Sequence, residues 1–310
     1  MIPVPIINAA AKPKKNSFLS ALGIKSGKQD VYSRDEWSYI LDSYCLLYPQ
    51  EHYQEFTRRK APIQVDKNKL RNSFLEGIPD DLRGSIWKYV SNVHVKRAQY
   101  SSDLFCKLLE VECSEEDELC IGKDLARTIS GFKEFKLDPN SGKNRLYNVL
   151  KVYSNFDKEV GYCQGINFLA AFFILNMEED EDAFWCLEDL LCGEHQWRDI
   201  FRDDTPRLIE LLDRIEEKLR KKCPKVLTHL VTTTQLNVPA AFSSIFITLF
   251  VYDLPLDQAT RVFEMFLLDG ERVLIKMLTR MIKSKQKKIL GLRELDLLTY
   301  IRSQMIQECL

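Results

Sequence analysis

Glycine is sparse, 12 residues in 310, and strict alternation of apolar and polar residues is nearly absent. Sheet proteins draw on both, for hairpin turns and for half-buried strands, so their absence argues against one. No run of about 18 apolar residues exists, the length a membrane-spanning helix needs; the longest apolar stretch, around 165–177, is shorter. The opening "MIPVPIINAA" has no basic region ahead of its apolar residues and carries Pro3 and Pro5, which makes a poor signal peptide. Charge of one sign is missing too. Lys and Arg number 44 against 45 Asp and Glu, a net charge of −1 with a pI near 6.5. No global field favours nucleic acid or an anionic membrane, and nucleic acid is not an expected partner.

The parts of several catalytic devices are missing as well. Cys163 sits between glycines, as a nucleophile might, but a thiol nucleophile needs a basic partner. The four histidines (52, 94, 195 and 229) lie in segments that read as structural. Cys106, Cys113 and Cys120 are seven apart, a helix-face spacing without the Cys-x-x-Cys geometry of zinc sites, and Cys186, Cys192 and His195 do no better. "DPNSGKNR" (138–145) contains Ser-Gly-Lys but lacks the earlier glycine of a phosphate loop. Pro139 and Gly142 mark a loop there, with Lys143 and Arg145 either touching a partner or, in the favoured reading, facing solvent. The expectation is a chain with no metal, cofactor or nucleotide of its own. Nine cysteines without secretion signals suggest free thiols in a reducing compartment, hence the cytoplasm.

What is present is helical spacing almost throughout. In "TPRLIELLDRIEEKLRKK" (205–222) Leu208, Leu211, Leu212, Ile215 and Leu219 form one stripe. Thr205 is placed to cap that helix and Pro206 suits its first turn, with Glu210–Arg214 and Glu217–Lys221 at favourable i, i+4 spacing. "PLDQATRVFEMFLLDG" (255–270) repeats the pattern, ended by Gly270. Further helices fit 34–48, 68–75, 82–96, 102–112, 144–156, 161–177, 182–192, 239–252, 271–284 and 294–308. "HLVTTTQLNV" (229–238) is β-rich in composition but has no partner strand. The predicted fold is all-α, without an internal repeat. Residues 1–30 read as a flexible segment. The polar stretch 192–204 is the expected seam, near 200, between helical halves of about 70–200 and 201–310. The basic runs 58–60, 218–222 and 283–288 read as solvated faces.

Three stretches invite a closer look. "IGKDLARTIS" (121–130) holds Asp124 and Arg127 three apart, either an ordinary surface pair or an arginine held for use elsewhere. "VGYCQGINFLAAFFIL" (160–175) is apolar on every side from Ile166 to Leu175 except Asn167, so its helix is buried. Gln164 stands at the entrance of that helix, where it either caps the backbone or faces the anion-favouring N-terminus. "EGIPDDLRGSIWKYV" (76–90) is a helix entered after Pro79 with Leu82, Ile86 and Trp87 inward.

Taken together, these stretches resemble the TBC domain, the catalytic module of Rab GTPase-activating proteins. "GIPDDLRGSIW" is similar to its opening. Ile121, Asp124 and Arg127 match its Ile-x-x-Asp-x-x-Arg motif, and Tyr162, Gln164 and Gly165 its Tyr-x-Gln-Gly motif. Residues 144–173 and 243–277 look like the family along their length, and the likeness covers about 70–290. The chain departs where the family often has Trp-Phe (here Ile245-Phe246) and Trp-Asp (here Phe263-Glu264).

The resemblance implies an all-α, two-subdomain protein that speeds GTP hydrolysis by a GTP-bound Rab-type GTPase in vesicle trafficking. Arg127 would enter the partner's site as an arginine finger, and Gln164 would orient the attacking water. Asp124 would hold Arg127 ready, Ile121 and Tyr162 would support, and Gly165 would let a backbone approach closely. Mg²⁺ and GTP would arrive with the partner, and the protein would be an activator rather than a free-standing enzyme. Recruitment to endomembranes would run through partners. The alternatives are a TBC-like module that docks a GTPase without stimulating it, and a structural helical adaptor.

Overall fold

The computed structural model describes residues 30–47, 65–136, 138–234 and 236–310. The segment 1–29 and the basic run 58–60 lie outside the described residues. Every regular element among the described residues is helical, and none is a strand. The chain divides into two compact units, one ending at Arg198 and the other running from Asp199 to Leu310.

The first unit contains α1 (Arg34–Leu47), α2 (Lys67–Glu76), α3 (Arg83–Val90), α4 (Val93–Arg97) and α5 (Leu104–Glu110). The longer α6 (Glu115–Gly131), α7 (Pro139–Phe156), α8 (Ile166–Ile174) and α9 (Asp180–Cys192) follow. Its centre is α8, buried at every residue and packed against α6, α7 and α9. Burying a large apolar side chain contributes about 1.5–3 kcal/mol, so α8 anchors the unit. The indole of Trp87 on α3 stacks on Phe172 at 5.2 Å and meets Phe173 edge-on at 6.0 Å. Gly84, one turn earlier, lets α3 approach: a Cβ there would stand 2.3 Å from the carbonyl oxygen of Asn176.

Several local expectations change. The helix expected over 82–96 breaks at Asn92, whose φ of 50° is left-handed, into α3 and α4. The loop expected at 138–145 is the first turn of α7. Asp138 caps it by accepting from the Ser141 N–H at 3.0 Å, and Pro139 occupies the first helical position, where its missing N–H costs nothing. Arg145 does not face solvent. It donates from Nε to Asp180 at 2.7 Å and from Nη2 to the carbonyls of Met177 and Glu178, each at 2.9 Å. That clamp closes the chain leaving α8. The helix expected over 161–177 starts only at Ile166.

The second unit contains α10 (Pro206–Lys222), α11 (Pro224–Thr228), α12 (Val238–Ile247), α13 (Leu256–Asp269) and α14 (Glu271–Ser284). The short α15 (Gln286–Ile289), α16 (Glu294–Thr299) and α17 (Met305–Cys309) complete it. The predicted stripe of α10 is its buried face. Glu217–Lys221 closes at 2.5 Å and Glu210–Arg214 at 3.6 Å. Thr205 does not cap α10: its φ of 45° is left-handed and its side chain makes no cap bond. Residues 229–233 form a π-helical turn, which resolves the β-rich composition of that stretch. The helix expected to 252 ends at Ile247, because Leu249 and Phe250 take φ of 47° and 68°. The one expected over 294–308 is interrupted by a π-helical turn at Tyr300–Gln304.

Candidate functional site

Ser114 starts α6, accepting from the Asp117 N–H at 3.1 Å, and Glu115, Glu116, Asp117 and Glu118 fill the first turn. Acidic side chains there suit the positive end of the helix dipole. The apolar face of α6 buries Ile121, Leu125 and Thr128, and Asp124 lies on the same face. Arg127, one turn on, reaches back so that Nη2 lies 2.8 Å from Asp124 Oδ1.

The pair is held by charge more than by a fork of hydrogen bonds. Nε and Nη2 of Arg127 are shielded from solvent yet make no aligned hydrogen bond, despite the short Nη2–Oδ1 distance. A buried donor without an acceptor costs about 1–3 kcal/mol. The arginine is therefore restrained but not satisfied.

The other oxygen of Asp124 accepts from the Tyr162 hydroxyl at 2.7 Å. Burial, and the hydrogen bond to this carboxylate, push the Tyr162 hydroxyl far above its ordinary pKa, so it remains a donor. One carboxylate thus fastens the arginine of α6 to the turn 161–165. Tyr162 braces this turn.

A second fastener joins the same two segments. Asp117 Oδ1 accepts from the Tyr162 backbone N–H at 2.9 Å and Oδ2 from Ser154 of α7 at 2.5 Å. Gly161, at φ +59°, passes so close that a Cβ would stand 3.0 Å from this carboxylate. A third runs beneath: the Asn167 amide donates to Thr128 Oγ1 at 2.7 Å, and Thr128 donates to the Asp124 carbonyl at 2.6 Å. Asn167 Oδ1 accepts the Gly165 N–H at 2.8 Å. At the far end of the loop Asp157 accepts from Arg198 through both oxygens, at 2.5 and 2.8 Å. Burial alone would raise that carboxyl, but the Arg198 guanidinium holds it below the usual range.

Gln164 is exposed. Its side chain makes no hydrogen bond with the described residues, and it does not cap α8. No side chain caps α8; Asn167, inside its first turn, accepts the Gly165 N–H through Oδ1. Gly165 precedes α8 at φ +117°, a conformation that strongly favours glycine. Cys163 Sγ lies 3.7 Å from the Val160 carbonyl, against the backbone. Among the described residues no group of three or more His, Cys, Asp or Glu side chains is arranged to hold a metal ion.

The Rab-GTPase-TBC domain model matches residues 80–290. The chain belongs to this family. Curated relatives agree. GTPase-activating protein GYP5 of Saccharomyces cerevisiae is 29% identical over 240 residues, 77% of this chain and 25% of that protein. Rab GTPase-activating protein tbc-11 of Caenorhabditis elegans is 31% identical over 237 residues, 76% of this chain and 25% of that protein. TBC1 domain family member 1 of Homo sapiens is 30% identical over 256 residues, 80% of this chain and 22% of that protein. The chain spans about a quarter of the length of these relatives.

Two solved structures share the fold. The Chlamydomonas flagellar RabGAP TBC domain superposes with a TM-score of 0.65 at 19% identity, covering 93% of this chain and 94% of that one. The Ypt/Rab-GAP domain of Gyp1p gives 0.59 at 14% identity, with 88% and 96% covered. The resemblance carried by the three motifs is therefore borne out, and so is the all-α fold.

Within this TBC domain the sequence reading missed Asp117, Thr128, Asn167 and the Asp157–Arg198 pair. Asn167 had a signal: one amide in an otherwise apolar buried helix must find partners. Asp117 had none, because its partners are a backbone N–H and a serine 37 residues away. The departures at Ile245, Phe263 and Glu264 all fall on fully buried positions of the second unit. No helix is long and apolar enough to cross a membrane among the described residues.

Proposed function

We propose that this TBC domain accelerates GTP hydrolysis by a GTP-bound Rab-type GTPase, with Arg127 as the arginine finger and Gln164 orienting the attacking water. The carrying observation is the Asp124 carboxylate, which restrains Arg127 with one oxygen and the Gln164 turn with the other. Phosphoryl transfer needs a positioned water and neutralisation of charge on the transferring group, and an arginine finger contributes roughly 10³–10⁵ in rate. That is about 4–7 kcal/mol of barrier.

A guanidinium suits the task because it stays charged and presents parallel donors to phosphate oxygens. Arg127 is short of aligned hydrogen bonds at rest, so moving to a phosphate exchanges its one ion pair with Asp124 for a fuller set of bonds. Gln164 is exposed and uncommitted, as a group that must reach into a partner should be. Mg²⁺ and nucleotide belong to the GTPase, and this chain acts as an activator that completes the partner's site. Single-turnover hydrolysis across a panel of GTP-loaded Rab proteins tests the proposal. Stimulation of at least one member, by a hundredfold or more, is expected; no stimulation of any member by folded protein would refute it.

A further inference from the structure

The near-neutral total charge conceals a strongly basic end of the second unit, assembled by the fold from two distant runs. Helices α10 and α14 pack together. In the first half of α10, Arg207 and Arg214 both reach Glu271, the first residue of α14, at 3.2 and 2.9 Å. At the other end the Lys283 ammonium acts on the buried Cys223 thiol: burial pushes that thiol up, and Lys283 pulls it back. The two helices therefore run parallel and finish side by side. Their finishing residues are the basic runs 218–225 and 283–288.

The nearby acids are already engaged. Glu216 pairs with Arg220, Glu217 with Lys221, and Glu308 with both Lys285 and Lys288. Lys218, Lys222, Lys225, Lys283 and Lys287 are exposed and have no ion pair among the described residues. Five unbalanced positive charges stand together in a chain whose net charge is −1. Helix-dipole complementarity accounts for a cation or two in each last turn. It does not account for Lys218, which stands before the last turn and repels Lys222 at i, i+4.

We propose that this lysine cluster is a docking surface for anionic phospholipid bilayers, bringing the domain into direct contact with a membrane. The residue type points to lipid. All five uncompensated cations are lysines, point charges on flexible stems that suit a diffuse anionic surface better than a bidentate site. The large exposed apolar residues of the second unit are Ile209, Val231 and Leu295, none aromatic, so the cluster lacks a platform on which nucleic-acid bases could stack. Each lysine near an anionic surface contributes on the order of fivefold to partitioning. The inference stands apart from the proposed GTPase activity.

The test is co-sedimentation of the full chain with vesicles of neutral phosphatidylcholine alone, or with about a third phosphatidylserine. Binding is expected only with the anionic lipid, falling steeply between low and moderate salt as Coulombic attraction is screened. The triple variant Lys222→Glu, Lys225→Glu, Lys283→Glu should lose at least tenfold in apparent affinity with an unchanged melting temperature. Reversal of three exposed lysines of the first unit, Lys67, Lys133 and Lys143, should cost much less. Equal losses from the two triples would overturn the proposal, as would no anionic-vesicle binding, equal binding to neutral vesicles, or displacement from vesicles by equimolar duplex RNA. Should the first triple fail to fold, Lys222→Gln with Lys283→Gln supplies the same comparison at smaller charge change.

Discussion

The amide of Asn167 donates to the hydroxyl of Thr128 at 2.7 Å, and both side chains are fully buried. The bond ties the start of α8 to the helix that carries Arg127. Removing either partner strands the other in an apolar setting, which costs about 1–3 kcal/mol. A double-mutant cycle with Thr128→Val and Asn167→Leu, followed by urea unfolding, should therefore give a coupling energy of about 1–2 kcal/mol. Strict additivity would mean that the contact contributes nothing.

Arg127→Lys should abolish most stimulation, by a hundredfold or more, and leave the melting temperature within a few degrees. The ammonium keeps the charge beside Asp124 but loses the forked donors. Asp124→Ala should lower stimulation by less, because it loosens Arg127 and the Tyr162 turn, a term of about 1–3 kcal/mol, but leaves the guanidinium itself. Single-turnover rates and melting curves for both proteins check the order. Near-normal activity from folded Arg127→Lys protein would remove the finger assignment.

Gln164→Ala should lose stimulation with no measurable change in stability, since the amide makes no hydrogen bond in the free domain and no side chain caps α8. If Gln164 orients the water, replacing the partner GTPase's own catalytic glutamine should leave substantial stimulation. Survival of activity without Gln164, together with its loss in the GTPase mutant, would leave only the arginine.

Asp253 sets a pH dependence in the second unit. It is 4% exposed, and burial raises its carboxyl to about 7, with Ser244 and Arg302 pulling it back only in part. The folded pKa exceeds the unfolded one, so the folded state keeps a proton that the unfolded chain releases between about pH 4 and 7. Stability should fall as pH rises through that window, by up to about 4 kcal/mol, and this group adds no further change above it. Asp253→Asn should flatten the difference between urea unfolding at pH 5 and pH 8. An unaltered difference would show that Asp253 is ionised throughout.

Much of the fold was legible because helical spacing of apolar residues is a local signal. The α10 stripe is one case: five residues read from spacing alone form its buried face. What failed were ends and entries. Thr205 has the right side chain for a cap but a left-handed backbone, and Pro139 with Gly142 looked like a loop because both residues also start helices. The site was legible only where it carried motif residues. Arg127, Gln164, Asp124 and Tyr162 could be named in advance, whereas Asp117 and Thr128 could not. Their partners lie 45 and 39 residues away, and no spacing rule links an acid or a hydroxyl to a neighbour at that distance.

The two proposed functional side chains differ in when they give up their freedom. Arg127 is confined in the free domain, so its ordering is settled when the chain folds. Gln164 is not, and fixing a glutamine side chain costs up to about 1.5–2 kcal/mol of rotamer entropy. On the proposed reading that loss falls within the catalytic encounter. Its signature would be thermal: Gln164→Ala should make the activation entropy of the stimulated reaction less negative, while the Arg127 contribution stays chiefly enthalpic.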